Sequence, residues 1–401
     1  MSAMPGPAEG SKGSPKEPVG GSPGPKATRA PITWTTRRAS VEDMDGILAC
    51  RRVTFAGEDL DKADAGYWRW EFVQNHAGPA RLFVAVDEGR AAGDRIVGHY
   101  AVIPQRFVLD QQVLPGSIVV DVMTHPEYRF QGMFTRLGSY ALEQCEGDGD
   151  LEFTTGYPIR EAVIPGHLKV GWRIRFLIGT YVMPLAMGPL LRARLPWLAK
   201  VPGLAAVLGA VPGLALRWWG RWRLGRGDQN VRIERQERVD AGRLATFWQQ
   251  VRENPPAGCL LQERTAEYLA WRFDGNPNRQ YLFHLATDQN GVVQGYVVSR
   301  KAPLLDVQAM TVVDACLLPG ASKLVLRRLL ADVRERALEV GSPMVAMMVT
   351  QPNPYLPAPG RLGFLAAPYR FSFITRPLAP GGRSEQDTLR WHLMWGDTDD
   401  V

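Results

Sequence analysis

Three short stretches of this 401-residue chain occur twice, in the same order and at nearly the same separation. Tyr67-Trp68-Arg69-Trp70-Glu71-Phe72 is echoed by Tyr268-Leu269-Ala270-Trp271-Arg272-Phe273, and Val119-Val120-Asp121 by Val312-Val313-Asp314. Pro165-Gly166-His167-Leu168-Lys169-Val170-Gly171-Trp172 is answered by Pro359-Gly360-Arg361-Leu362-Gly363-Phe364. The offsets are 201, 193 and 194 residues. One such match carries little weight; three in order predict two copies of one fold, at about 33–180 and 230–378. The length suits two domains of ordinary size.

Within the first copy, Thr33–Arg38 reads as a short strand. Ser40 stands at an N-cap position with Asp43 three residues on, ahead of a helix carrying Met44, Ile47 and Leu48. Two β-rich runs follow, Arg81–Asp87 and Arg95–Ile103, and then Ser117–Thr124, a nearly unbroken apolar strand of the kind buried on both faces. A helix is expected over Gly132–Cys145 and a strand over Leu151–Thr155. This order predicts an α/β class with a mixed sheet. Residues 1–32 are mostly Pro, Gly, Ser, Ala and Lys with almost nothing to bury, which predicts a disordered tail; residues 379–401 are expected to be a second tail. The first tail lacks the apolar stretch of a secretory signal, so a cytoplasmic protein is expected. The cysteines at 50, 145, 259 and 316 have no metal-ligand or disulfide spacing, which points away from a bound metal and suits a reducing compartment.

The net charge of +6 is too small for a general nucleic-acid binder, so a nucleic-acid partner is not expected. It conceals an asymmetry. Residues 162–227 hold ten Lys or Arg and no Asp or Glu, leaving the rest of the chain at −4. Between the copies, 181–229 reads as a helical, basic and apolar linker. Its run Val201–Leu216 is uncharged for sixteen residues but contains two Pro and three Gly, which argues against a membrane span. Two readings of 183–226 stand: a helical insertion packed on the two domains, and peripheral contact with the inner face of a membrane through its Trp, Leu and Arg residues.

The chemistry-bearing stretch is Asp121-Val122-Met123-Thr124-His125-Pro126-Glu127-Tyr128-Arg129-Phe130-Gln131-Gly132-Met133-Phe134. A buried strand ends at Thr124, Pro126 turns the chain, and Gly132 opens a helix. Free amides at such a helix start, with the positive end of the helix dipole behind them, suit an anion, and Arg129 adds a charged donor.

At these residues the chain resembles the GNAT superfamily of N-acetyltransferases, whose coenzyme A loop reads (Arg or Gln)-x-x-Gly-x-(Gly or Ala). The match is Arg129-x-x-Gly132-x-Phe134, with Phe134 in place of the small residue. The resemblance implies two GNAT-like domains in tandem, with acetyl-CoA as co-substrate. The main chain of Val122, Met123 and Thr124 would hold the pantetheine arm and polarise the thioester, and the amides of Phe130, Gln131, Gly132, Met133 and Phe134 would hold the pyrophosphate. In the second copy Val313–Lys323 keeps strand, Pro and helix without Arg-x-x-Gly, so a degenerate unit is expected.

Acyl transfer to an amine needs a proton acceptor and a proton donor. Asp121 interrupts an apolar strand and is the candidate base; the alternative is a structural partner, which Asp314 in the second copy favours. The family often places a Tyr four residues before a closing Gly-aromatic pair. Here His167 stands there, ahead of Gly171-Trp172, and Tyr157 is its rival for the acid. His125 and Glu127 read as turn residues. The expected activity is N-acyl transfer, acetyl in the first instance, to a small-molecule amine such as an amino sugar. Two alternatives remain from the sequence: a non-catalytic scaffold docking through 183–226, and an aminoacyl or peptidyl transferase, which would need a basic RNA-binding groove.

Overall fold

The computed structural model describes residues 33–56, 60–200 and 203–399; the expected tail at 1–32 lies outside them. The first half carries strands β1 (Thr35–Arg38), β2 (Arg81–Val86), β3 (Ile96–Leu109), β4 (Gln112–Thr124), β5 (Phe153–Gly156) and β6 (Arg173–Pro184), with helices α1 (Met44–Phe55), α2 (Ala65–Phe72), α3 (Met133–Asp148) and α4 (Ile164–Lys169). Helices α5 (Met187–Arg194) and α6 (Leu204–Leu224) connect it to the second half. That half carries β7 (Arg232–Gln236), β8 (Cys259–Gln262), β9 (Leu282–Thr287), β10 (Val293–Leu304), β11 (Val307–Leu317), β12 (Met344–Val349), β13 (Leu365–Pro377) and β14 (Arg390–His392), with α7 (Ala241–Glu253), α8 (Ala266–Leu269) and α9 (Lys323–Glu339).

The main sheet runs β1-β2-β3-β4-β5-β13-β6-β12-β11-β10-β9-β7. Read from either end, this order superimposes the first half on the second: β4 pairs β5 in parallel as β11 pairs β12, and the two antiparallel meanders flank them. Strands β6 and β13 are exchanged between the halves. β6 pairs β12, β13 pairs β5, and β6 and β13 pair each other at the centre. The units 33–180 and 230–378 remain our proposal for dividing the chain, but the exchange means that neither closes its sheet alone.

The repeats locate this symmetry. The Pro-Gly stretches become short helical turns ending at Gly171 (φ 89°) and Gly363 (φ 86°), the left-handed residues that turn the chain into β6 and β13. Only glycine takes that conformation without a Cβ penalty. The Val-Val-Asp stretches coincide with register shifts in the β3–β4 and β10–β11 ladders. The Trp stretches meet each other: Trp70 stacks on Trp271, ring centroids 5.2 Å apart.

The first half is three-layered. Ile47, Leu48, Trp68 and Phe72 of α1 and α2 pack on one sheet face with Val84, Ala101 and Ile103. Leu137, Ala141, Leu142 and Cys145, one stripe of α3, pack on the other with Phe83, Val97 and Val102. In the second half Val325, Leu326, Leu329, Leu330 and Val333 make the corresponding stripe of α9, each large side chain contributing about 1.5–3 kcal/mol through burial. Ser40 caps the turn before α1 with a full capping box, as its spacing with Asp43 predicts.

Residues 379–399 are folded rather than a tail. β14 pairs β8 in parallel, and Trp391, Leu393, Met394 and Trp395 are buried. The run is too short to display a period, so composition alone misplaced it. The four cysteines are separately buried thiols.

Candidate active site

β4 and β5 pair only over Gly116–Ile118 and Phe153–Thr155, after which they diverge. The backbone of β4 beyond Ile118 therefore has a ladder partner on the β3 side and none on the β5 side. A cavity of 180 Å³ opens in the split. Val119, Val120, Asp121 and Val122 line one wall, and Gly156, Tyr157 and Pro158 the other. Phe134 and His167 come from α3 and α4 and Ile374 from β13, and Arg51, Lys62, Arg160 and Asp399 are among the charged residues of the lining. The second half thus supplies part of the site.

The structure brings the three candidate catalytic residues, Asp121, His167 and Tyr157, into this one cavity. Asp121 lies at the β4 bulge with φ 50°, a left-handed conformation costing a non-glycine residue about 1–2 kcal/mol. Two contacts offset that cost. The carboxylate makes a short ion pair with Arg51 of α1, both side chains buried, and His99 Nδ1 donates to the Asp121 carbonyl at 2.9 Å. A carbonyl only accepts, so Nδ1 carries the proton. The strand interruption is accordingly matched by a structural partner.

Tyr157 packs on Phe373, centroids 5.2 Å apart, and burial holds its phenol well above the usual range, so it stays protonated. His167 meets Phe134 at 4.9 Å and Trp172 at 5.4 Å, both edge-on. Burial pushes its pKa down to about 4, so the imidazole is uncharged at neutral pH. An uncharged imidazole has no charged proton to give, whereas the Tyr157 phenol keeps its proton.

The loop expected to hold an anion leads from the cavity. β4 ends at Thr124, His125 accepts from the Glu127 amide in a Pro126–Tyr128 turn, and Phe130 (φ 65°) and Gly132 (φ 80°) bend the chain into α3. A Cβ on Gly132 would meet only Thr135 Oγ1 at 3.9 Å, so the glycine is needed for its φ and not for lack of room. The first turn of α3 leaves the amides of Met133, Phe134 and Thr135 without helical partners. Gln131 donates to the Glu127 carbonyl at 3.2 Å, and Arg129 is exposed, its Nη2 3.5 Å from the Thr54 carbonyl. Val122 and Thr124 are half-buried at the cavity end of β4, whereas Met123 is turned into the core and offers its backbone alone. Phe134, at the position of the expected small residue, fits because Gly166 faces it: a Cβ there would lie 2.6 Å from the ring.

The corresponding split of the second half is filled by the protein itself. β11 and β12 pair over Met310–Val312 and Val345–Met347. Beyond that, Met394 bridges Val349, and a Cβ on Gly396 would come within 3.1 Å of the Val313 carbonyl. Asp314 is bound by Arg264, which also pairs Asp397, and accepts from Tyr296 Oη at 2.8 Å. Ser322 caps α9 where Gly132 opens α3.

Sequence reasoning passed over Arg51, Lys62, Glu71 and Asp399. Arg51 and Glu71 occupy apolar faces of their helices, beside Ile47 and Leu48 and beside Tyr67 and Trp68, and that placement was the available signal. Lys62 and Asp399 pair at 2.9 Å across 337 residues, which no local pattern reveals. Glu71, buried with Lys62 and Asp399 nearby, has its pKa pushed up to about 8 by burial. Among the described residues no cluster of three His, Cys, Asp or Glu side chains could hold a metal ion.

Residues 35–175 match the sequence profile of the acetyltransferase (GNAT) domain. No curated protein matches the chain. Among solved structures, a probable N-acyltransferase from Enterococcus faecalis is similar, with a TM-score of 0.58 at 12% identity over 86% of this chain and 72% of that one. A tandem GNAT protein from the clavulanic acid biosynthesis pathway has a TM-score of 0.51 at 15% identity, over 86% of this chain and 99% of the other. A glucosamine N-acetyltransferase region of a fungal multi-domain beta-N-acetylglucosaminidase has a TM-score of 0.51 at 14% identity, over 86% and 38%. At these identities the likenesses establish the fold.

Proposed function

We propose that this GNAT-superfamily N-acyltransferase, a tandem GNAT protein that uses acyl-CoA, transfers acetyl to the amine of a small molecule such as an amino sugar. The observation that carries this reading is the meeting of Asp121, Tyr157 and His167 in one 180 Å³ cavity at the mouth of the β4–β5 split, one loop away from the start of α3. The pantetheine arm would run along the unpaired edge of β4 at Val122–Thr124, and the pyrophosphate would rest on the amides of residues 130–134 beside Arg129. An uncharged amine attacks the thioester carbonyl. Once bonded to carbon its nitrogen is strongly acidic, so the weakly basic His167 can take its proton. The C–S bond breaks, Tyr157 Oη gives its proton to the departing thiolate, and the proton held by His167 passes to the Tyr157 phenolate, which restores both groups. Asp121, held by Arg51, keeps the bulge of β4 in place. The cavity size and the glucosamine-acetylating neighbour support a small acceptor.

Calorimetric titration with acetyl-CoA, on the wild type and on Gly132→Trp, tests the reading. Binding by the wild type and its loss in the variant are expected. A wild type that binds no acetyl-CoA sinks the proposal, and binding that survives Gly132→Trp moves the site elsewhere. Thiol release with glucosamine and other small amines then identifies the acceptor.

A second reading concerns location and rests on α6. Its inner face presents Gly209 and Gly213 to α5, so closely that a Cβ on Gly209 would overlap the Gly188 backbone. Its outer face is a stripe of Val207, Val211, Leu214, Trp218 and Trp222, each 61–76% exposed, with Arg217 and Arg221 beside it. Among the described residues no helix is long and apolar enough to cross a membrane. An exposed apolar stripe edged by cations fits an anionic lipid surface. Co-sedimentation with phosphatidylcholine vesicles, with and without phosphatidylglycerol, decides it. Binding that needs the anionic lipid and falls in Trp218→Ser/Trp222→Ser is expected; equal partitioning to both refutes electrostatic docking.

A further inference from the structure

A cavity of 830 Å³ lies in the second half, between the segment leading into β9 and the strands β9–β11. It belongs to neither the β4–β5 split nor its filled counterpart. Five cationic side chains line it, Arg238, Arg279, Arg300, Lys301 and Arg336, against two carboxylates, Glu237 and Asp274. The Asp274 carboxylate is engaged by the Val239 amide at 2.9 Å, and Arg336 by Glu339 at 3.1 Å.

Two arginines, Arg279 and Arg300, stand at its inner wall. The Arg279 side chain is only 6% exposed; it lies over the Tyr67 ring at 5.6 Å and reaches one carboxylate, Asp61, at 3.5 Å. Its Nε and Nη1 have no hydrogen-bond partner. Arg300 lies over the Tyr281 ring at 5.7 Å and interacts with the Tyr281 hydroxyl, and the Asn276 amide nitrogen has no hydrogen-bond partner. Other buried or half-buried guanidinium groups are held by acids or by backbone carbonyls: Arg264 by Asp314 and Asp397, Arg235 by Asp332 and Glu339, and Arg272 by the Gly396 and Thr398 carbonyls. Buried cations and donors left open together carry a large desolvation cost unless an anion enters. A guanidinium flattened on an aromatic ring keeps its edge donors directed sideways, the geometry that grips phosphate oxygens.

We propose that this cavity is a phosphoryl-binding site, distinct from the acyl-CoA site, taking inorganic phosphate or the phosphate group of a small phosphate ester on Arg279 and Arg300, with Tyr281 and Asn276 as further donors. The site sits behind α2, whose Tyr67 carries Arg279, so its occupancy is one helix away from Glu71 and the acyl-transfer cavity.

Titration calorimetry of the full chain with inorganic phosphate and with glycerol 3-phosphate, at constant ionic strength, tests this, with malonate as the carboxylate control. Phosphate or its ester binds the wild type in the micromolar to millimolar range, at least tenfold more weakly to Arg300→Met, and to an intermediate degree to Arg300→Lys. Tighter binding of the ester identifies a phosphorylated metabolite as the occupant, and equal binding identifies free phosphate. Residual binding at the α3 loop would survive Arg300→Met, so only the component lost in that variant counts. Absence of binding to the wild type up to about 10 mM, malonate binding as tightly as phosphate, or phosphate affinity unchanged in Arg300→Met overturns the proposal. Should Arg300→Met fail to fold, Lys301→Met at the rim is read instead; a weakening of threefold or more supports the site, and unchanged affinity overturns it.

Discussion

Trp70 and Trp271, 201 residues apart, each donate the indole N–H to the other's backbone carbonyl, at 2.8 and 3.1 Å, while their rings stack at 19°. The reciprocity is the signature of a local two-fold axis. It ties α2 of the first half, which carries Glu71, to the helical turn after α8 in the second.

Replacing Trp70 or Trp271 by Phe keeps a stacked ring but leaves a buried carbonyl without its donor. Each single change should lower unfolding stability by about 1–3 kcal/mol, and the double change by less than the sum, because the bonds share one stacked pair. Urea unfolding of the four proteins measures it; strict additivity would mean that the two bonds are independent.

Arg51→Met strands the Asp121 carboxylate in a buried site and should cost about 3–5 kcal/mol. Asp121→Asn/Arg51→Met should recover part of the loss while raising KM for acetyl-CoA, since the bulge loses its tether. If Asp121 instead takes the amine's proton, Asp121→Asn alone removes turnover with KM unchanged, and steady-state kinetics separate the two.

Tyr157→Phe retains the contact with Phe373 and removes only the hydroxyl. It should leave acetyl-CoA affinity within about twofold and reduce kcat by about 10²–10⁴. A loss of affinity without a loss of kcat would take the hydroxyl out of the proton-transfer step.

Glu71 has a folded pKa near 8, above its unfolded value of 4.5. The folded state therefore holds a proton that the unfolded state releases. The associated stability is complete below pH 4.5 and is lost as pH rises to 8. Buried neutral histidines such as His167, with a folded pKa near 4, act oppositely: their stability is complete above pH 6.5 and lost as pH falls towards 4. Glu71→Gln should remove the alkaline loss, so its stability relative to wild type rises by about 1–3 kcal/mol between pH 5 and pH 8.5. Denaturant unfolding at both pH values checks this; a constant difference would show that Glu71 is ionised throughout.

Much of the site could be read along the chain because its parts are local. A left-handed residue before a helix calls for Gly132, a buried strand for the Ser117–Thr124 run, and a helix start for the amides that follow. The pair Arg51–Asp121 was half legible: a charge on an apolar helix face announces a partner but does not say which. His167 shows the opposite case. Its position in the sequence predicts a proton donor, and only the packed structure shows the neighbours Phe134 and Trp172 whose burial keeps it uncharged.

The sequence by itself determined that there are two copies of one fold, where each turns, and which copy keeps Arg-x-x-Gly before its helix, since these follow from repeats, backbone conformation and residue type. Tertiary structure decided the rest. The exchange of β6 and β13, the filling of the second split by residues 393–396, and the Lys62–Asp399 closure all depend on segments hundreds of residues apart finding each other. Strand exchange changes no local hydrophobic pattern, because a central strand is buried on both faces in either sheet. Only the packed whole selects the partner.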